Sequence, residues 1–315
     1  MDDYFLPSHK PVLLKEVLHF LNLKQGDVIF EGTLGGAGHT IEIIKAIAPT
    51  GKLIGVDLDS QALSTATRVL KNYSDNVTLI KDNFANVGGI LKRLGISFID
   101  GFFLDLGLSL DQIERSGRGF SYIRDEKLDM RFDPEASKRA YTVVNEYPEE
   151  KLREIFYKYG EERWASRVAR NIVEYRRFKK IESTGELVEI VKKSIPYSER
   201  YKRGHPAKRV FQAIRIEVNE ELENLEKALE EGFRVLRSGG RMVVISYHSL
   251  EDRIVKQKFS TFSGKCICPP GLPVCACGAE KKAEIITKKV VTPSMEELQE
   301  NPNSKSAKLR AIEKV

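Results

Sequence analysis

The stretch Glu31-Gly32-Thr33-Leu34-Gly35-Gly36-Ala37-Gly38-His39 constrains this chain more than any other feature. An apolar run, Val28-Ile29-Phe30, precedes it. A run with helical apolar spacing, Ile41-Glu42-Ile43-Ile44-Lys45-Ala46-Ile47, follows. The order is strand, glycine-rich turn, helix. Glycines at such a turn let the backbone approach a ligand closely, because no Cβ intervenes. A second strand, Lys52-Leu53-Ile54-Gly55-Val56, then ends in Asp57. An acid about 20 residues past such a turn is where a nucleoside-binding βαβ unit holds ribose hydroxyls. The glycines alone also fit a plain tight turn, but the strand before them and the acid after them favour a nucleoside cofactor. No Gly-Lys-Ser/Thr follows, which excludes a P-loop, and a nicotinamide cofactor stays open.

The alternation continues with a helix over 61–71, strand Val77-Thr78-Leu79-Ile80, a helix over 87–94 and a strand over 98–104. This pattern predicts an α/β fold with a parallel sheet covered by helices on both faces. From 114 to 215 only helices and loops are expected. Pro148 starts a helix with Leu152, Ile155, Phe156 and Tyr159 on one face. The next places Trp164, Val168, Ile172 and Tyr175 on a core stripe, and Arg163, Arg167, Arg170 and Arg177 on another. Ser183 or Thr184 caps a third, which carries Leu187, Val188 and Val191. A long helix from Val218 through Leu236 is expected to end at Gly239-Gly240, before a buried strand Met242-Val243-Val244-Ile245. The expected organisation is therefore a discontinuous α/β domain, 1–113 with 216–315, interrupted by a helical substrate-binding domain over 114–215. Residues 293–306 read as polar and loose, and 308–315 as a final edge strand.

Charge separates the same two parts. The chain carries +6 overall, yet 114–215 holds 25 Lys+Arg against 17 Asp+Glu. A basic insertion on a near-neutral core suggests a polyanionic substrate, although a solubilising face has the same composition. The acidic start, Met1-Asp2-Asp3-Tyr4, is not followed by a cleavable apolar region. No apolar run approaches the ~20 residues that cross a membrane. A cytoplasmic location without membrane association is expected, and no protein partner is inferable.

The fourth strand ends Leu104-Asp105-Leu106-Gly107-Leu108-Ser109-Leu110-Asp111-Gln112. Ligands bind at the carboxyl ends of such strands, so Asp105 is expected in the cleft near the reactive end of the cofactor. A carboxylate there suits a cationic, methionine-type cofactor; the plainer reading is a helix cap or loop acid. Arg118-Gly119-Phe120-Ser121-Tyr122 and Leu128-Asp129-Met130-Arg131-Phe132-Asp133 suit a loop beside a nucleic acid, or equally an internally salt-bridged loop.

Together these motifs resemble the bacterial small-subunit (16S) ribosomal RNA methyltransferases that modify the N4 amine of a decoding-centre cytosine. Further matches are Phe211-Gln212-Ala213-Ile214-Arg215-Ile216, Ser246-Tyr247-His248-Ser249-Leu250-Glu251-Asp252-Arg253, Asn301-Pro302 and Ser306-Ala307-Lys308-Leu309-Arg310. The resemblance implies a Rossmann-like class I S-adenosylmethionine-dependent sheet with the helical insertion helping to bind cytidine. It implies S-adenosylmethionine as methyl donor and 16S ribosomal RNA, or the small subunit, as partner. It carries cofactor contacts onto Ala37, Gly38, His39, Asp57, Phe84, Asp105 and Gln112. Two positions depart from the family: Glu31 stands where Asp is usual, and Leu110 where a second serine is usual.

The implied reaction transfers methyl from sulfonium to an amine whose lone pair is delocalised into a ring. A site helps by orienting the amine and accepting its hydrogens. Asp105 is the first candidate for that role, and Ser246 and His248 after the C-terminal strand are the second. Ser249-Leu250-Glu251-Asp252 also reads as a capping box, which makes His248 a packing residue. Cys266, Cys268, Cys275 and Cys277 form two close pairs, open to zinc or disulfides, and no metal ligand is assigned. A nicotinamide oxidoreductase and a non-catalytic RNA-binding factor with an inherited pocket are the competing readings.

Overall fold

The computed structural model describes residues 10–202, 204–266, 268 and 280–315. Two compact units emerge, Met1–Gly107 with Leu222–Val315, and Leu108–Glu221.

The first unit opens with α1 (Leu14–Leu21), β1 (Val28–Glu31), α2 (Gly38–Ile47), β2 (Lys52–Asp57), α3 (Ser60–Val69), β3 (Val77–Lys81), α4 (Val87–Arg93) and β4 (Ile99–Asp105). The second unit follows as α5 (Leu110–Glu114), α6 (Ala140–Glu146), α7 (Glu149–Lys158), α8 (Ala165–Arg176), α9 (Thr184–Ser194) and α10 (Lys208–Asn219). The chain then completes the first unit with α11 (Glu221–Val235), β5 (Leu236–Ser246), α12 (Ser249–Phe262), β6 (Ala283–Ile285), α13 (Met295–Glu300) and β7 (Lys308–Lys314).

The strands form one sheet in the order β3-β2-β1-β4-β5-β7-β6. Neighbours from β3 through β5 are parallel, and β7 runs antiparallel to both β5 and β6. Successive strand residues face opposite sides, so Phe102 and Leu104 pack with Phe30 and Val244 while Phe103 joins Ile29 and Val243. Leu225, Leu229 and Phe233 of α11 cover the first face, and Ile43, Ile44 and Ile47 of α2 the second. Gly232 lets α11 come close: a Cβ there would lie 2.8 Å from the Phe102 ring.

Three local expectations need correction. The expected long helix is divided: Val218 belongs to α10, Glu220 turns left-handed after it, α11 ends at Val235, and Gly239-Gly240 lie inside β5. There the register against β4 slips between Ile99 and Gly101, so the pair makes a strand irregularity, not a helix stop. The last strand, β7, is interior, because the three-residue β6 covers its outer side. So short a strand shows no alternation to read. Residues 293–306 are ordered by α13, capped by Ser294, and by a 3-10 turn over Pro302–Ser306. Glu297 Oε1 accepts from Leu13 N at 2.7 Å, tying this segment to the start of α1.

Within the second unit, Leu152, Ile155, Phe156, Val168, Ile172 and Leu187 are buried, as their spacing predicts. Trp164 is not core. It precedes α8 as its N-cap residue, half-buried, with the Arg163 guanidinium 5.4 Å from its ring centroid. Ser183 caps α9 in a reciprocal box with Glu186. Asn219, at the end of α10, accepts from Phe132 N and donates to Met130 O, both at 2.8 Å. Those bonds help explain why this unit reaches past residue 215.

Candidate active site

Strand order reverses between β1 and β4, the place where open α/β sheets bind ligands. The carboxyl ends of these two strands carry Glu31 and Asp105. Between them, Thr33 Oγ1 accepts from Asp105 N at 2.7 Å. The glycine turn is tied to β2 by Asp57, whose Oδ2 accepts from Leu34 N (3.1 Å) and Gly35 N (3.2 Å). Its Oδ1 accepts from Asp59 N at 2.8 Å. Burial pushes the Asp57 carboxyl up to about 6, against the lowering effect of these amides.

The glycines of the turn do different work. Gly35 and Ala37 adopt left-handed backbone, with φ of 48° and 58°. A Cβ on Gly36 would meet nothing within 4 Å, so this is the open edge of the turn. Gly32 is the crowded position: a Cβ there would lie 2.6 Å from the Phe84 Cβ and 2.5 Å from Leu104 Cδ2. Gly32→Ala is expected to destabilise by about 1–3 kcal/mol, because overpacking forces Phe84 and Leu104 aside. A denaturation midpoint equal to wild type would contradict that packing.

Asp105 sits among groups of opposite capability. Tyr247 Oη donates to its Oδ1 at 2.9 Å. His39 Nδ1 lies 3.6 Å from its Oδ2. His39 Nε2 is 2.8 Å from Val12 O, and a carbonyl only accepts, so the ring hydrogen is on Nε2 and Nδ1 presents a lone pair. Burial depresses His39 to about 4, which keeps it neutral. Burial first of all pushes Asp105 up to about 7; the Tyr247 hydroxyl pulls it down and Glu251 raises it. Glu31 is buried and raised well above the carboxylate range by burial, with Asp105 and Asp57 adding to the rise. Its Oε2 has no hydrogen-bond partner among the described residues.

Ala37, Gly38, His39, Asp57, Phe84 and Asp105 thus belong to one unit, at or beside the turn and the ends of its strands. Gly38 packs rather than opens, since a Cβ there would sit 3.2 Å from Pro11. Gln112 belongs to the other unit, where it forms the capping box of α5 with Ser109. Ser246 is buried and its Oγ donates to Lys308 O at 3.4 Å, a bond between paired strands. His248, not Ser249, caps α12: its Nδ1 accepts from Glu251 N at 3.4 Å, and its Nε2 lies 3.1 Å from Glu251 Oε1. Its Nδ1 is engaged by the helix cap, while the buried Nε2 makes no hydrogen bond among the described residues. The residue that bonds Asp105 is Tyr247, between Ser246 and His248, which carries no local sequence signal.

The 118–133 loop takes the internally bonded form. Arg131 makes a two-pronged bond to Asp129, at 2.9 and 2.6 Å. Arg118 donates to Arg131 O and Phe132 O, both at 3.0 Å. These guanidiniums are engaged with their own loop. Of the cysteines, Cys266 and Cys268 lie side by side, with Cys268 N 3.4 Å from Cys266 Sγ, while Cys275 and Cys277 lie outside the described residues.

Residues 7–315 match the MraW methylase family. The chain belongs to that family. It is a methyltransferase, and its donor is S-adenosylmethionine, which removes the nicotinamide reading. It is 50% identical over 308 residues to Ribosomal RNA small subunit methyltransferase H of Clostridium botulinum (strain Loch Maree / Type A3), covering 98% of this chain and 99% of that protein. A protein of the same name from Symbiobacterium thermophilum is 49% identical over 307 residues, covering 98% of this chain and 96% of its own. The residues present fit the donor. A sulfonium and an ammonium are cations, and Glu31, Asp57 and Asp105 are acids close enough that two of them raise the third. The open edge at Gly36 supplies room.

Proposed function

We propose that the protein methylates the N4 amine of a cytidine in small-subunit (16S) ribosomal RNA, at the decoding centre. The observation that carries this reading is the near-complete coverage at 50% identity by a relative named for small-subunit ribosomal RNA. The stretch 114–215, with 25 Lys+Arg against 17 Asp+Glu, agrees with it. The substrate in turn implies the cytoplasm. Among the described residues no helix is long and apolar enough to cross a membrane.

Bound S-adenosylmethionine supplies an electrophilic methyl on sulfur. The residues of the chain do the rest. Asp57 holds the ribose hydroxyls, and Ala37, Gly38, His39, Phe84 and Gln112 are assigned to the remaining donor contacts. Asp105 accepts a hydrogen of the amine, so that nitrogen offers its lone pair and not its ring-delocalised form. A carboxyl raised to about 7 can also hold the proton the amine loses. Ser246 and His248 support this centre through the β5–β7 pairing and the α12 cap. The test is mass mapping of nucleosides after small-subunit RNA is treated with protein and donor. A methylated cytidine amine is expected, and RNA that returns unmodified overturns the reading in favour of a binding factor.

Arg167, Arg170 and Arg177 are exposed along α8 and its C-cap. Arg176 is not part of that stripe; it donates to Val144 O and Tyr147 O. If the exposed three track phosphates, replacing them with Gln should weaken RNA binding and flatten its salt dependence by about 2–3 units of log–log slope. Donor affinity should stay as in wild type. Unchanged RNA affinity and slope would make the stripe a solvated face.

A further inference from the structure

Resting on the role proposed for Asp105, we infer that Tyr247 is a positioning residue for methyl transfer, fixing which carboxylate oxygen of Asp105 meets the amine and keeping that oxygen unprotonated. Three observations place it. The phenol donates to Oδ1 at 2.9 Å, which leaves Oδ2 as the oxygen turned toward the His39 lone pair. The ring is clamped: Gly107, at φ +101°, lets the backbone lie against it, and a Cβ there would stand 3.3 Å from Tyr247 Cδ2. The Tyr247 backbone N–H donates to Glu251 Oε2 at 2.8 Å, and Glu251 is itself buried and held by the α12 cap. A phenol held at both ends has one place to put its hydrogen.

The chemistry follows from which form of Asp105 the phenol favours. An O–H donated to a carboxylate stabilises the ionised form. Every other neighbour works against ionisation or is indifferent to it. Glu31 on β1 and Glu251 on α12 are acids, and His39 on α2 is neutral. Tyr247 is thus the one described group beside Asp105 that holds its carboxyl down toward working pH. Without that hydroxyl the carboxyl stays protonated to higher pH, its oxygen is occupied, and the amine finds no acceptor.

Tyr247→Phe removes the hydroxyl and keeps the ring on Gly107. The acid limb of the kcat profile is expected to move up by about one pH unit, the shift of a single lost hydrogen bond worth about 1.4 kcal/mol. Turnover should fall several-fold at neutral pH and recover as pH rises, with KM for the donor little changed. A carbon-13 carboxyl titration of the protein without donor gives a second readout independent of activity. The Asp105 resonance, assigned by its loss in Asp105→Asn, should titrate higher in Tyr247→Phe. A limb and a carboxyl titration that both stay put overturn the proposal, and so does an equal loss of kcat at every pH. If Asp105→Asn itself turns over like wild type, the role of Asp105 fails first. A limb that moves in Asp105→Asn but not in Tyr247→Phe rejects Tyr247 alone. Should Tyr247→Phe not fold, 3-fluorotyrosine at 247, a stronger donor, must move the limb down; an unmoved limb rejects the proposal.

Discussion

Asp105→Asn is expected to cut turnover at saturating donor by roughly 10²–10⁴-fold, the range for loss of a positioned acid–base group, with a smaller loss of donor affinity. The substitution keeps the shape at the end of β4 and the bond from its N–H to Thr33 Oγ1. It removes the charge and the ability to take a proton. A variant that binds donor weakly but turns over normally at saturation would contradict the role. Stability gives an independent reading with a defined sign. The folded pKa of Asp105, about 7, lies above the ordinary carboxylate value, so the folded chain keeps a proton that the unfolded chain has lost. That contribution is present at low pH and is lost as pH rises through about 7. The advantage of Asn over Asp should therefore grow from pH 5 to pH 8. His39, depressed to about 4 by burial, acts in the opposite sense between about 4 and 6.5. A stability difference flat in pH would mean that Asp105 is not held protonated by its surroundings.

What the chain shows in advance and what it hides follow one physical rule. The glycine turn, Asp57 and Asp105 each sit at the end of an apolar run. Strand ends are local signals, and ligands collect there for topological reasons that need no coordinates. The helical faces of α7 and α9 were equally legible, because their apolar spacing matches the 3.6 period. Trp164 misled because it falls one residue outside α8, where spacing still counts it but the backbone no longer carries it around. Gly239-Gly240 misled because two glycines read alike as a helix stop and as a strand irregularity. Tyr247 had no local signal at all. Its partner is 142 residues away in sequence, and an aromatic just past a buried strand looks like any core residue. His248 drew notice instead, as histidines do, though its ring faces Glu251 within its own helix cap.

Asp57→Ala is expected to weaken donor binding at least tenfold. Two charge-assisted hydrogen bonds to the ribose are at stake, each worth roughly 1.5–3 kcal/mol, and about 1.4 kcal/mol is a factor of ten. The structure adds a second role that the experiment must separate. Asp57 Oδ2 also takes the amides of Leu34 and Gly35, so its loss frees two N–H groups in the turn. Asp57→Asn retains an acceptor for those amides and removes only the charge, so it should keep the turn and the melting point closer to wild type. Both variants should bind S-adenosylmethionine and S-adenosylhomocysteine more weakly by similar factors, because the ribose is common to the two. A loss confined to the sulfonium form would instead place Asp57 at the charged end of the donor. Protonation gives a final check. With its carboxyl at about 6, wild type should lose donor affinity as pH falls through that value. In Asp57→Asn that pH dependence should be reduced, leaving what the other acids contribute. Calorimetric affinities for Asp57→Ala equal to wild type would remove Asp57 from the ribose site and leave it as the tie that holds the glycine turn to β2.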